Sequence, residues 1–273
     1  LMRALFALII SLAVSPFALA HPAHPTETTY LGNEGIMVGD GDTTILFDPL
    51  FPNGFGTYQL VPEEMRLALM AGDAPFDSVD AIFVSHMHPD HFSVDEVIAY
   101  LETHSKVKVY LPSQAADWMR SETENEEIFE RVVEIPLEYQ DAPMSFEEGG
   151  LTIDVVRIPH AGWPGRAEVS NLVWRVTLAD GITVMHLGDA DPNDAHFAPL
   201  DAHWQAKQTH TAYPPYWFFG MGDGLFILDE RLNTARATGI HVPVILPPDL
   251  VISGADFFHE PGETRVLKPE AGE

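Results

Sequence analysis

The run Ala81-Ile-Phe-Val-Ser-His-Met-His-Pro-Asp-His91 constrains this chain more than any other stretch. Ala81 to Val84 read as a short buried strand, because β-branched and aromatic residues suit a pleated, enclosed surface. His86, His88, Asp90 and His91 follow within six positions. Imidazole and carboxylate are the nitrogen and oxygen donors that zinc and similar divalent cations accept, and a strand end holds such donors rigidly. Adjacent Asp90 and His91 cannot point the same way as His86 and His88. The spacing therefore predicts two neighbouring metals, with His86 and His88 on one and Asp90 and His91 on the other.

This H-x-H-x-D-H signature after a strand resembles the hallmark of the metallo-β-lactamase superfamily. The resemblance covers about residues 28 to 268 in motif order. It implies an α+β fold, a four-layer αβ/βα sandwich whose two mixed sheets lie face to face with helices outside. It also implies further ligands on loops that follow later strands. A strand over Leu151 to Ile158 runs into Pro159-His160-Ala-Gly162, which places His160 where the His86/His88 metal needs a third donor. A hairpin of Asn171 to Leu178 and Ile182 to His186 ends in His186-Leu-Gly-Asp189. Asp189 is the expected bridging carboxylate, with Gly188 letting the backbone approach closely. His186 is read as structural or as supporting the ligands from behind, and Asp191 and Asp194 as solvent-facing or loop-capping. The last ligand is assigned to His241. Many relatives end in P-x-H, whereas this chain has His241-Val-Pro243, an order that resembles another branch of the superfamily; the later His259 lies in an acidic tail.

The rest of the chain supports one domain over residues 21–273. Short strands over Thr28 to Leu31, Gly35 to Val38 and Thr43 to Phe47 form a meander that Asp48-Pro49 closes. Pro62-Glu63-Glu64 opens a helix to Ala71, with acids at the positive end of its dipole. Ser93-Val-Asp-Glu96 is a capping box that pins the backbone just after the ligand cluster and starts a helix to about His104, itself placed by the dipole. Leu225 to Ala235 has apolar residues at helical spacing, and Gly239 to Pro243 reads as a short strand and turn. Two aromatic stretches stay open. Phe51-Pro-Asn-Gly-Phe-Gly56 either flanks a pocket or is an ordinary turn. Tyr213-Pro-Pro-Tyr-Trp-Phe-Phe219 either packs the core or lines the mouth of the site, with Tyr213, Tyr216 and Trp217 as the substrate-contact candidates.

Composition narrows the chemistry. The 14 Lys+Arg against 41 Asp+Glu give a net charge of −27. Such a surface repels phosphate backbones and anionic headgroups, so nucleic acid is not an expected partner. There is no cysteine, which excludes disulfides and thiolate ligands, so every metal ligand must be His, Asp or Glu. Leu1 to Ala20 reads as a signal peptide, with Arg3 at its start, an apolar core and Ala18-Leu19-Ala20 for cleavage. A periplasmic or secreted protein without stable membrane insertion is therefore expected.

Three protein donors per metal plus a bridge leave room for water, the mark of a catalytic centre. The resemblance implies two zinc ions (iron or manganese being the alternatives). These lower the pKa of a shared water from about 15.7 to near neutrality and so supply a bridging hydroxide as nucleophile. Asp90 is expected to hold its proton and pass it to the leaving group. The expected substrate is a small ester, lactone, amide or lactam, or phosphodiester. An iron-dependent oxidoreductase on the same scaffold and a non-catalytic metal-binding protein are the other readings.

Overall fold

A computed structural model describes residues 25–268. The signal-peptide reading of Leu1 to Ala20 lies outside the described residues. Strands β1 (Glu27–Gly32), β2 (Gly35–Gly39) and β3 (Thr44–Phe47) form the antiparallel meander. Helix α1 (Glu63–Ala71) then leads into β4 (Val79–Phe83), α2 (Val94–Thr103) into β5 (Lys108–Pro112), and α3 (Ser113–Glu122) towards β6 (Val132–Ile135). Each of these crossovers adds its strand in parallel, as a helix-linked connection requires. The second half pairs β7 (Met144–Glu148), β8 (Leu151–Arg157), β9 (Leu172–Thr177) and β10 (Thr183–His186) antiparallel. Helices α4 (Asp194–Phe197) and α5 (Asp201–Gln205) precede β11 (Thr211–Tyr213), which lies parallel to β10. Short helices α6 (Gly224–Phe226) and α7 (Pro248–Ser253) follow, and β12 (Thr264–Val266) returns to the edge of β1. The result is a seven-stranded sheet, β12-β1-β2-β3-β4-β5-β6, and a five-stranded sheet, β11-β10-β9-β8-β7.

Side-chain alternation stacks these sheets into the expected four layers. In β4, Ala81 and Phe83 point between the sheets, where they join Ile36, Phe47, Val155 and Trp174. Ile82 and Val84 point the other way, into the layer that Leu69 of α1, Leu101 of α2 and Met119 of α3 complete. On the far face of the second sheet, Val173 and Met185 pack against Phe197, Trp204, Phe218 and Leu250. The central strands are thus covered on both faces and read as apolar runs, whereas the edge strand β7 alternates.

Local structure departs from the sequence expectation in four places. The Leu225 to Ala235 stretch is one turn of α6 followed by a wide π-type turn over Ile227–Arg231, in which Leu232 N–H donates to Ile227 C=O at 3.0 Å. The wider turn lets Ile227, Leu228 and Leu232 all face the core while Arg231 reaches Asp194 (2.8 Å) and Asp201 (2.7 Å). Gly239 to Pro243 makes only isolated bridges, to Phe257, Pro215 and Tyr58, because prolines on all sides limit the donors a ladder needs. His104 caps α2, but its ring is engaged with the carbonyl of Met70 at 3.0 Å, which is a tie to the end of α1 and accounts for it without the dipole. The Ser93 cap is made, with Ser93 Oγ accepting from Glu96 N–H. The reciprocal half is absent, because the Glu96 carboxylate turns to Arg66 at 3.0 Å.

Candidate metal centre

β4 carries the chain to the edge of the first sheet, and its continuation delivers His86, His88, Asp90 and His91 there. From the second sheet, the loop after β8 brings His160 and the loop after β10 brings Asp189, and an isolated His160–Ala190 bridge ties the two loops together. His241 arrives from the segment that crosses behind Asn33. The structure assembles all seven proposed ligands, from both halves of the chain, at one edge of the sandwich.

The donors fall into two groups. His86 Nε2 lies 3.0 Å from His88 Nδ1, and His160 Nε2 lies 3.1 Å from both His88 Nδ1 and Asp189 Oδ2. His241 Nε2 lies 3.4 Å from Asp90 Oδ2 and 3.2 Å from Asp189 Oδ1, while His91 Nε2 is 3.7 Å and 3.4 Å from the same two oxygens. Asp189 therefore turns Oδ2 to one group and Oδ1 to the other. Donor-to-donor spacings just above 3 Å are those of ligands held at about 2.0–2.1 Å from a common cation.

The rings are aimed by what their other nitrogens bind. His91 Nδ1 donates to Asp48 Oδ2 at 2.9 Å and His160 Nδ1 donates to Ala161 C=O at 2.8 Å, leaving Nε2 of each for a metal. His86 Nδ1 contacts Ser85 Oγ at 3.0 Å, and that hydroxyl bonds Asp48, whose Oδ1 also accepts from Ser85 N–H at 2.7 Å. Asp48 thereby orients ligands of both groups. Asn33, in the β1–β2 turn, joins two ligands of the second group: its Nδ2 donates to Asp90 C=O and its C=O accepts from His241 N–H, each at 2.9 Å. Asn171 accepts from Asp189 N–H at 3.0 Å while its amide donates to Ile158 and Leu187 carbonyls. Gly188, at φ +53°, brings this loop against Ser85 and Asn171 so closely that a Cβ would overlap both. His241 holds φ +57°, a conformation unfavourable for a side-chain-bearing residue and sustained by its surroundings.

Electrostatics agree with a cation site. Burial, and then the neighbouring imidazoles, keep His86 well below its usual pKa and bring His88 down to about 4, so both are neutral donors at pH 7. Burial pushes Asp189 up, yet His241 and His91, with hydrogen bonds from His160 and His91, outweigh it and hold the carboxyl well below its ordinary range. Asp90 is lowered by the same contest, burial against the hydrogen bond and charge of His241 and His91. Burial lowers His91, but the carboxylates of Asp189 and Glu34 and its bonds to Asp189 and Asp48 raise it further than burial lowers it. Asp189 Oδ1, His91 Nε2 and His241 Nε2 are buried without a hydrogen-bond partner. Unpaired buried polar atoms are costly, and three converging on one point fit a divalent cation.

A third grouping, Glu34, Asp48 and His186, lies just behind. It is no ligand set, since Asp48 is spent on Ser85 and His91, and His186 Nε2 donates to Glu34 C=O at 3.0 Å. His186 is thus structural, stacked on Phe47. Burial raises the Glu34 carboxyl well above the usual carboxylate range.

The site opens into a cleft of about 920 Å3. Trp217 lines it, with its Nε1–H on Ala190 C=O at 3.1 Å and its ring centroid 5.2 Å from that of His241. The other two aromatic candidates are corrected by their placement. Tyr213 ends strand β11 and is fully buried between the sheets, with its hydroxyl bonded to Thr28 Oγ1. Tyr216 packs edge-on against Trp217 and is not part of the cleft wall. The Phe51–Gly56 loop divides, Phe51 joining the core and Phe55 the cleft. Tyr58, which its sequence surroundings do not mark, meets the His241 ring edge-on at 4.0 Å. Asp191 is loop-capping, accepting from Gly162 and Trp163 N–H, and Asp194 pairs with Arg231.

Two sheets face to face with a two-group His/Asp cluster at one edge define a metal-binding αβ/βα sandwich. A family model described as a Beta-lactamase superfamily domain matches residues 27–202, well over half of the chain, and the protein belongs to that superfamily. A UPF0173 metal-dependent hydrolase of Pyrococcus furiosus is 26% identical over 165 residues, covering 60% of this chain and 61% of that protein. The chain thus spans about three fifths of the length of this curated relative. Among solved structures, a possible metal-dependent hydrolase of Veillonella parvula aligns with a TM-score of 0.61 at 18% identity, over 89% of this chain and all of that one. An isothiocyanate hydrolase from Delia radicum gut bacteria aligns at 0.59 and 16% identity, over 88% of this chain and 99% of that one. Identities this low establish the shared fold.

Proposed function

We propose that this protein is an exported, metal-dependent hydrolase of a small ester, lactone, amide or lactam, or phosphodiester. The carrying observation is Asp189, whose two oxygens face two separate histidine groups at the floor of an open cleft. His86, His88 and His160 would hold one divalent ion, Asp90, His91 and His241 a second, with Asp189 shared between them. An all-nitrogen-and-oxygen donor set suits zinc, and also iron or manganese. Two such ions would supply a nucleophile from water near neutral pH and polarise the scissile oxygen.

The chain's own groups do the rest. Asp90 lines the cleft and is kept ionised by His241 and His91, so its carboxylate can take the proton of the attacking water and return it to the leaving group. Asp48, Ser85 and Asn33 fix the rings and backbone that present these donors, which keeps the site in one geometry through the cycle. Trp217 and Tyr58 flank His241 with apolar surface that can hold the substrate body against the reacting edge. The hydrolase name of the Pyrococcus furiosus relative supports this reading. Export rests on the leader-like Leu1 to Ala20.

The test is metal content of the purified protein together with turnover of a panel holding one member of each substrate class. Two zinc ions with chelator-sensitive turnover that Asp90→Asn abolishes are expected. Two iron ions, dioxygen uptake and no hydrolysis would replace the hydrolase with an oxidoreductase.

A further inference from the structure

Arg166 has no part in the arrangement described so far. Six arginines of this chain, Arg157, Arg175 and Arg231 among them, sit in salt bridges. Arg166 forms none among the described residues, in a chain that carries 41 carboxylates. It is also the one Lys or Arg among the side chains that line the cleft.

Its position is built by the loop that follows His160. The aliphatic stem of Arg166 folds back over Gly162, its Cδ only 3.7 Å from where a Cβ on that glycine would stand. The guanidinium ends with Nη1 at 3.4 Å from His160 Nδ1. That ring nitrogen carries a proton committed to Ala161 C=O at 2.8 Å, so it offers no lone pair to the guanidinium. The planar fork of donors is therefore unspent beside a metal ligand. Elsewhere along the cleft, Phe55, Tyr58, Trp217 and Met221 present apolar surface, and Asp191, Asn193 and Asp223 add polar groups. Such a fork recognises carboxylates in two-point fashion. The protein's overall charge of −27 would otherwise turn anions away, which makes a local cation the requirement for admitting one.

We propose that Arg166 reads a carboxylate on the substrate. The substrate is then an acyl ester or amide with an apolar body and a free carboxylate a few bonds from the scissile carbonyl. This inference rests on the hydrolase reading and adds a substrate class and a specificity-determining residue to it.

The probes are p-nitrophenyl hydrogen glutarate and its neutral methyl ester, which share the scissile bond and differ at the far end in charge and one methyl group. Metal-loaded wild type is expected to prefer the anionic ester in kcat/KM. Arg166→Gln should lower the anionic-to-neutral ratio by about 10- to 100-fold, the value of a charged hydrogen-bonded pair. Arg166→Lys should give an intermediate ratio, since it restores charge without the fork. Metal content of both variants should stay at the wild-type level, which excludes an effect through His160. A ratio unchanged by Arg166→Gln, or equal turnover of both esters by wild type, overturns the inference and leaves the hydrolase reading standing. Turnover of neither ester by metal-loaded wild type overturns the inference, and the hydrolase reading falls with it only if the lactone, amide, lactam and phosphodiester of the panel also stay intact.

Discussion

Replacing Gly188 by alanine should be among the most damaging single-methyl additions in the molecule. Two costs are separable. The first is conformational: Gly188 holds φ +53°, and a side-chain-bearing residue there costs about 1–2 kcal/mol. The second is crowding. The new methyl would stand 2.6 Å from Ser85 Cβ and closer still to Asn171 Oδ1, and neither neighbour can withdraw. Ser85 is locked to Asp48, and Asn171 holds Ile158 and Leu187. Overfilling a packed interior costs about 1–3 kcal/mol. Pushing Asn171 aside also breaks its bond to Asp189 N–H, which adds about 1 kcal/mol. The sum is about 3–6 kcal/mol, against a total of about 5–15 kcal/mol for a typical domain. Gly149 is the matched control, with φ +59° and nothing within 4 Å of its would-be Cβ. Gly149→Ala should therefore lose only the conformational part. Urea denaturation of both variants, with chelator present, measures the difference. Equal losses in the two would refute the crowding argument, and with it the idea that Gly188 exists to bring Asp189 against the first sheet.

Three further outcomes are expected. Asp48→Asn places an amide nitrogen opposite His91 Nδ1–H, removes the acceptor that fixes that tautomer, and should weaken metal binding about 10- to 100-fold; chelator competition giving wild-type affinity would refute this role. His88 titrates at about 4 in the fold but near 6.5 when unfolded, so between those values the unfolded chain binds more protons and the metal-free fold loses stability as pH falls. Melting temperatures of chelated protein should accordingly fall less steeply from pH 6.5 to 4 in His88→Gln than in wild type, and identical slopes would contradict the shift. Trp217→Ala opens the cleft wall beside His241 and should alter KM or substrate preference at unchanged metal content; loss of metal instead would make the ring a support for His241.

The proposed ligands legible in the sequence are those whose chemistry is local. His86 to His91 announce themselves because four donors crowd one strand end, and Asp189 because an acid follows a glycine at the end of another. His160 and His241 are single histidines, and only the order of motifs along the chain singles them out. The supporting residues escaped for the opposite reason. Asn33 and Glu34 look like an ordinary hairpin turn, and Asp48-Pro49 like a strand terminator. Their partners, Asp90, His91 and His241, lie from about 40 to about 210 residues away and meet them only through sheet pairing. Which face Tyr213 presents is not legible in the sequence because β11 is three residues long, too short for alternation to reveal which face is buried. The π-type turn after α6 is invisible to a helical periodicity that both kinds of turn satisfy.

The crowding of four proposed ligands between His86 and His91 has a consequence for the denatured chain. On this assignment, pairs of donors within a six-residue segment need no tertiary structure to hold a cation, so the unfolded protein would retain a partial chelate while losing His160, Asp189 and His241. Metal stabilises a fold only by the difference between its affinities for the folded and unfolded states. The stability gained on loading should therefore fall short of what the native affinity alone implies. The same segment would let a nascent chain capture its metal before the second sheet exists, with the distant ligands closing around an ion already in place.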